Sequence, residues 1–227
     1  MTRARIAVLA SGGGSNLQAL IDHFASLGEA RAGDIVLVAS DRPDAGALDR
    51  ARRAGIPTAT IASKRTPHGL PLAALLAEHR IDLIVLAGYL QLVPAEVTRA
   101  FAGRVLNVHP APLPQFGGAG MYGVRAHRAV LESRVATSGP TVHFVDDVYD
   151  HGPVIAHWPV PVRPGDDAQS LAERVLRAEH LLFPRVVQAV AAGEVRLTSD
   201  GRIDPPFVLD RNSLPPLDPE IADVHIR

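Results

Sequence analysis

Two polar side chains interrupt an apolar run where nothing about packing asks for them. Asn107 lies inside Val105-Leu-Asn-Val108, and His109 follows two residues later. In an extended chain residues two apart point to the same side, so the carboxamide and the imidazole share a face. A carboxamide at a strand end can donate to a developing oxyanion, and an imidazole can donate to the same charge or carry a proton. Pro110, Pro112 and Pro114 then restrict the backbone that holds them. A histidine beside a proline at a strand end also has a purely structural reading. The run Val142-His-Phe-Val-Asp-Asp-Val-Tyr-Asp-His-Gly-Pro153 adds a loop rich in acids. Asp150 is placed to orient an imidazole and stabilise its charged form. Asp146 and Asp147 read as ordinary turn acids.

A second feature is Ala10-Ser-Gly-Gly-Gly-Ser-Asn16, which follows an apolar run and opens a helical one. Glycines there let the backbone approach an anion, and a helix N-terminus favours phosphate through its free N–H groups and its dipole. Better-known loops fail on single residues. Dinucleotide binding needs glycine where Leu17 stands, a P-loop needs Gly-Lys-Ser/Thr, and a nucleophile elbow centred on Ser15 again lacks glycine at Leu17. A nucleotide-dependent oxidoreductase, with Asp41 gripping a ribose, is disfavoured on the same ground. A ligand-free tight turn remains the bland reading, although three consecutive glycines exceed what a turn needs.

The elements that position these residues are legible from hydrophobic runs. Ile6 to Ala10, Ile35 to Ala39, Pro57 to Ile61, Leu83 to Ala87 and Val105 to Val108 alternate with segments of helical spacing such as Asn16 to Ala25 and Ala45 to Ala54. Near-continuous apolar strands alternating with helices predict an α/β fold, a doubly wound, mostly parallel sheet covered on both faces. Asn107 and His109 then stand at a strand's carboxyl end, where open α/β sheets bind ligands. Two further runs, Thr141 to Val145 and Pro153 to Val162, predict antiparallel strands added to that sheet. A helix is expected over 168–192, stopped by Gly193. We expect one domain over 1–199, with a phosphate-binding half at 1–104 and a catalytic half at 105–199. The remainder, 200–227, carries five prolines and predicts an irregular arm.

Composition removes other classes. No cysteine occurs, so disulfides, thiolate metal sites and a cysteine nucleophile are absent, and a reducing cytoplasm is the expected location. No H-E-x-x-H pair occurs among the ten histidines, and no metal is expected. A net charge of −1, with Lys64 the only lysine, argues against a nucleic-acid surface. No apolar run is long enough for a membrane span or a signal peptide. The expected partners are small molecules, to a monomer or a homodimer.

Five motifs occur in order: Ser11-Gly-Gly-Gly-Ser-Asn-Leu17, Val85-Leu-Ala-Gly-Tyr-Leu90, Leu106-Asn-Val-His-Pro-Ala-Pro-Leu-Pro114, Val142-His-Phe-Val-Asp-Asp147 and Asp150-His-Gly-Pro-Val-Ile155. Together they resemble the folate-dependent phosphoribosylglycinamide formyltransferases, from about Arg5 to Glu194. The resemblance implies a Rossmann-like formyltransferase fold with Asn107, His109 and Asp150 as catalytic residues. It implies that Gly13, Gly14, Ser15 and Asn16, with Leu176 and Glu179 on the late helix, bind glycinamide ribonucleotide. It assigns Arg65, Leu90, Gln91, Leu92, Val93, Asn107 and Asp146, Asp147, Val148, Tyr149 and Asp150 to 10-formyltetrahydrofolate. The implied reaction is attack of the acceptor's amine on the formyl carbon, a step of purine (IMP) synthesis. Asn107 and protonated His109 would stabilise charge on the formyl oxygen. Gln91 departs from the arginine of many members, and Phe116 to Arg125 is longer and richer in glycine than in the commoner form. Formylation of methionyl-tRNA is disfavoured because about 30 weakly patterned residues follow Gly193. Formyl-folate hydrolysis is disfavoured because the first strand begins so near Met1.

Overall fold

The computed structural model describes residues 2–64, 66–210 and 214. The apolar runs form strands β1 (Ala4–Leu9), β2 (Gly33–Ser40), β3 (Thr58–Thr60), β4 (Leu83–Leu86) and β5 (Val105–His109). Between them lie α1 (Ser15–Leu27), α2 (Gly46–Arg53), α3 (Leu72–Glu78) and α4 (Ala95–Ala100). After β5 come α5 (Val124–Glu132), β6 (Thr137–Ser138), β7 (Thr141–Phe144), β8 (Val154–His157), β9 (Val160–Pro161) and α6 (Ala168–Ala191). The main sheet has seven strands in the order β3-β2-β1-β4-β5-β7-β8. The first five are parallel, and β7 and β8 join antiparallel, as the runs after Thr141 predict.

Strand alternation divides the core. Ile6, Val8, Val85, Leu106 and Val108 pack into one cluster with residues of α1, α2, α5 and α6. Ala7, Leu9, Ile84, Leu86 and Val105 pack into another with Leu72, Leu75, Leu76 and Val97 of α3 and α4. Each fully buried Leu, Val or Phe contributes roughly 1.5–3 kcal/mol, so both faces hold the sheet. The predicted strand over 153–162 divides. The Trp158 N–H turns to the Pro140 carbonyl, Pro159 has no N–H to donate, and β9 pairs with β6 outside the main sheet.

The long helix α6 begins at Asp167, whose carboxylate accepts from the Gln169 and Ser170 N–H groups, with Ser170 closing the capping box. Its Arg174 pairs with Asp166 in a buried contact, which fixes the entry to the helix. The irregular arm expected from residue 200 needs correction at its start. β10 (Arg196–Leu197) pairs antiparallel with β11 (Ile203–Asp204), so a hairpin crosses that boundary. Phe207, Leu209 and Leu214 pack on the larger core cluster, because these apolar side chains have core surface within reach.

Candidate active site

The strand order reverses between β1 and β4, the position at which open α/β sheets hold ligands beyond their carboxyl ends. The glycine loop leaves β1 there. Gly14 is the N-cap of α1 with φ +76°, and a Cβ on it would lie 2.7 Å from the Ala47 Cα, so glycine is required twice over. Ser11 closes the gap to β4. Its hydroxyl donates to Asp41 Oδ1 at 2.5 Å and accepts from the Leu90 N–H at 3.0 Å. Asp41 is fully buried in that contact and has no access to a ribose, which removes the oxidoreductase reading.

A cavity of about 490 Å³ opens beside this junction. Asn107 and His109, at the end of β5, both line it, and Asp150 reaches them from the loop between β7 and β8. Asp150 Oδ2 lies 3.4 Å from His109 Nδ1 and accepts from the Gly118 N–H at 3.0 Å. His109 Nε2 donates to the Phe116 carbonyl at 2.8 Å, so both ring nitrogens face acceptor oxygens. Asn107 Nδ2 lies 3.3 Å from Asp150 Oδ1 and 3.1 Å from His143 Nε2. Burial alone would raise the Asp150 carboxyl. The imidazoles of His109 and His143 and the Gly118 N–H outweigh it and hold the group well below the usual carboxylate range. The chamber thus places an ionised carboxylate, an imidazole and an amide within one small volume. Such a set can stabilise an oxyanion and relay protons.

Of the residues expected to bind ligands, Asn16, Leu90, Gln91, Leu92, Val93, Val148, Tyr149, Leu176 and Glu179 line this same cavity. Gly13, Gly14 and Ser15 do not line it; they lead directly into Asn16 at the start of α1. Asp146 and Asp147 do not line it. Asp146 accepts from the Val148 N–H at 2.9 Å and contacts His151, and Asp147 stands 3.8 Å from Arg99 on the surface, as turn acids do. Arg65 lies outside the described residues. The cavity's exposed rim carries Leu92, Tyr122, Val124, Val148 and Tyr149, an apolar surface suited to an aromatic ring system.

Glu179 is almost fully buried and accepts from Asn16 Nδ2 at 2.7 Å. Burial pushes its carboxyl up to about 7, the Asn16 bond opposing that rise. It is one of five cavity-lining residues on α6, with Gln169, Ala172, Glu173 and Leu176.

Sequence reasoning missed His143 and His127. His143 stands opposite Asn107 across the β5–β7 pair and donates from Nδ1 to the Phe144 carbonyl at 2.7 Å. Its signal was a polar side chain between Val142 and Phe144 in an apolar run. His127 of α5 is buried at the cavity wall, and burial, with His109 nearby, lowers its imidazole to about 4. The glycine-rich stretch proved to be wall as well. Gly118 to Val124 line the cavity, and a Cβ on Gly117 would come within 2.9 Å of the Asp150 Cβ.

Comparison with known proteins finds relatives along most of the chain. A family model described as formyl transferase matches residues 4–187. The chain is 42% identical over 204 residues to a chloroplastic phosphoribosylglycinamide formyltransferase of Arabidopsis thaliana, covering 88% of this chain and 69% of the relative. It is 41% identical over 205 residues to the human trifunctional purine biosynthetic protein adenosine-3, spanning 20% of that longer protein. The crystal structure of phosphoribosylglycinamide formyltransferase from Anaplasma phagocytophilum superimposes with a TM-score of 0.78 at 34% identity, covering 89% of this chain and 93% of the other.

Proposed function

The chain belongs to the formyl transferase family, and from that premise we propose that it moves a formyl group from 10-formyltetrahydrofolate to the amine of glycinamide ribonucleotide. The products are formyl-glycinamide ribonucleotide and tetrahydrofolate, a step of purine synthesis. The observation that carries this reading is the meeting of Asn107, His109 and Asp150 in one cavity that Asn16 enters from the glycine loop and Leu90 to Val93 enter from β4. The lining fits a reduced folate, with an apolar rim for the ring system and Leu90 to Val93 along the wall. The folate supplies an electrophilic formyl carbon when bound.

The protein's part is to hold charge and protons. Asp150 is ionised and its Oδ2 stands 3.4 Å from His109 Nδ1, so the carboxylate orients the imidazole. Asn107 Nδ2 lends its weaker contact, the 3.3 Å bond to Asp150, to a developing oxyanion. The proton lost by the acceptor's amine has Asp150 and His109 as nearby relays. Asn16 and Glu179, bonded to each other on the cavity wall, would contact the acceptor. A cysteine-free chain suits a reducing cytoplasm.

The decisive assay mixes the purified protein with 10-formyltetrahydrofolate, with and without glycinamide ribonucleotide. Formyl transfer that depends on the amine is the expected result. Folate turnover that ignores the amine would make the protein a deformylase, and no turnover in either arm would refute the enzyme.

A further inference from the structure

The glycine loop owes its shape to α2. The Ala47 N–H donates to the Gly12 carbonyl at 3.0 Å, and Arg50 Nε donates to the Gly13 carbonyl at 2.7 Å. A trans peptide points its C=O and N–H in opposite directions. Anchoring these two carbonyls on α2 therefore turns the Gly13 and Gly14 N–H groups away from it, and neither donor has a partner among the described residues. Together with the free N–H groups of the first turn of α1 they form a row of donors suited to an oxyanion.

Arg50 brings charge as well as a hydrogen bond. Its other contact is from Nη1 to Gln18 Oε1 at 3.4 Å, and among the described residues no carboxylate lies within ion-pair distance. On α6, His180 Nε2 is buried without a partner among the described residues. Burial and then the Arg50 cation disfavour its charged form. Arg50 is thus a half-buried cation set behind the loop, with no carboxylate among the described residues within ion-pair distance to neutralise it.

We propose that Arg50 is a positioning residue for the acceptor's phosphate, fixing the Gly13–Gly14 peptide with its N–H outward and setting an unneutralised positive charge behind the loop. The proposal rests on the glycinamide ribonucleotide reading above. It makes the loop selective for a phosphate dianion over a ribose hydroxyl, because an oriented N–H row serves both ligands and only the charge distinguishes them.

The test compares the wild-type protein with Arg50→Gln and Arg50→Lys on glycinamide ribonucleotide and on its dephosphorylated riboside. Arg50→Gln should raise KM for the phosphorylated acceptor about tenfold or more, with most of the loss in KM and the folate KM unchanged. The preference for phosphorylated over dephosphorylated acceptor should shrink by the same factor. Arg50→Lys, which keeps the charge and one donor, should recover part of it. An unchanged preference, or a folate KM that rises in parallel, would overturn the proposal. Calorimetry with ribose 5-phosphate reads the same site without catalysis. Equal affinity in wild type and Arg50→Gln would overturn the role of Arg50. Binding that weakens in the variant would uphold it even if the wild type failed to formylate glycinamide ribonucleotide, an outcome that would remove only the acceptor assignment.

Discussion

The glycine loop and the Asn107 chamber both prepare to hold negative charge, and they are made of different material. The loop is backbone: carbonyls pinned on α2, N–H groups turned the other way, and Gly14 in a left-handed conformation against Ala47. The chamber is side chain: a carboxylate, two imidazoles and an amide that contact one another around Asp150. The first is specified by an atom that must be missing, the second by atoms that must be present. Substitutions should therefore damage the loop through the fold and the chamber through the chemistry.

The largest effect belongs to the chamber. Asn107→Ala and His109→Ala should each lower kcat by roughly two to four orders of magnitude, the range for losing an oxyanion donor or an acid–base group. Asp150→Asn should reshape the pH–rate profile, since it removes the ionised partner of His109. Near-normal turnover in the alanine variants would show that the cluster is architectural. The loop should respond next, and in stability. Gly14→Ala forces a side chain into φ +76° and onto Ala47, a cost of about 2–4 kcal/mol in denaturant unfolding. Gly12→Ala has no atom within 4 Å of the new Cβ and should stay within about 0.5 kcal/mol. If both variants unfold alike, the account of the loop as moulded backbone is wrong.

The same contrast explains what the chain disclosed before it was folded. Ile6 to Ala10, Ile35 to Ala39 and Leu83 to Ala87 announce buried parallel strands, because a strand covered on both faces must be apolar throughout. Asn107 and His109 stood out as polar residues in such a run. His143 also interrupts an apolar run, but its part in the chamber depends on the register that sets it opposite Asn107. His127 and Glu173 lie on helices, where one polar residue reads as a solvated face until a cavity is found beneath it. The break at Trp158-Pro159 and the hairpin of β10 and β11 were hidden in short segments with little periodicity. Arg50 was one arginine among many until α2 came to rest against the loop.

Glu179 sits between the two regions and gives a smaller effect with a definite sign. Its carboxyl is pushed from 4.5 to about 7 by burial, so the folded protein keeps a proton that the unfolded chain has lost. Below about pH 4.5 both states are protonated and the group is neutral in its effect. As pH rises through the window from 4.5 to 7, the unfolded state ionises first and the folded state loses stability. Glu179→Gln keeps an acceptor for Asn16 and cannot ionise. It should match the wild type below about pH 4.5 and be more stable by up to about 3 kcal/mol at pH 8, while binding the acceptor less well. A stability difference that does not change with pH would place the ionisation elsewhere.

The smallest predicted effect tests where the chamber ends. Asp147 and Asp150 lie three residues apart in one loop, yet only Asp150 turns inward, at φ +54°, to meet His109 and the Gly118 N–H. The Asp147 carboxylate is about half exposed, 3.8 Å from an Arg99 that is itself mostly in solvent. Pairs of that kind contribute about 0–1 kcal/mol and fade with salt. Asp147→Asn should therefore change kcat and the folate KM by less than about twofold and leave the unfolding midpoint within error. Since the same change at Asp150 removes the ion that holds His109, the pair of variants measures how sharply catalysis is confined to side chains inside the cavity. A tenfold rise in the folate KM for Asp147→Asn would extend the donor site outward along this loop, past the boundary that the cavity wall now marks at Val148.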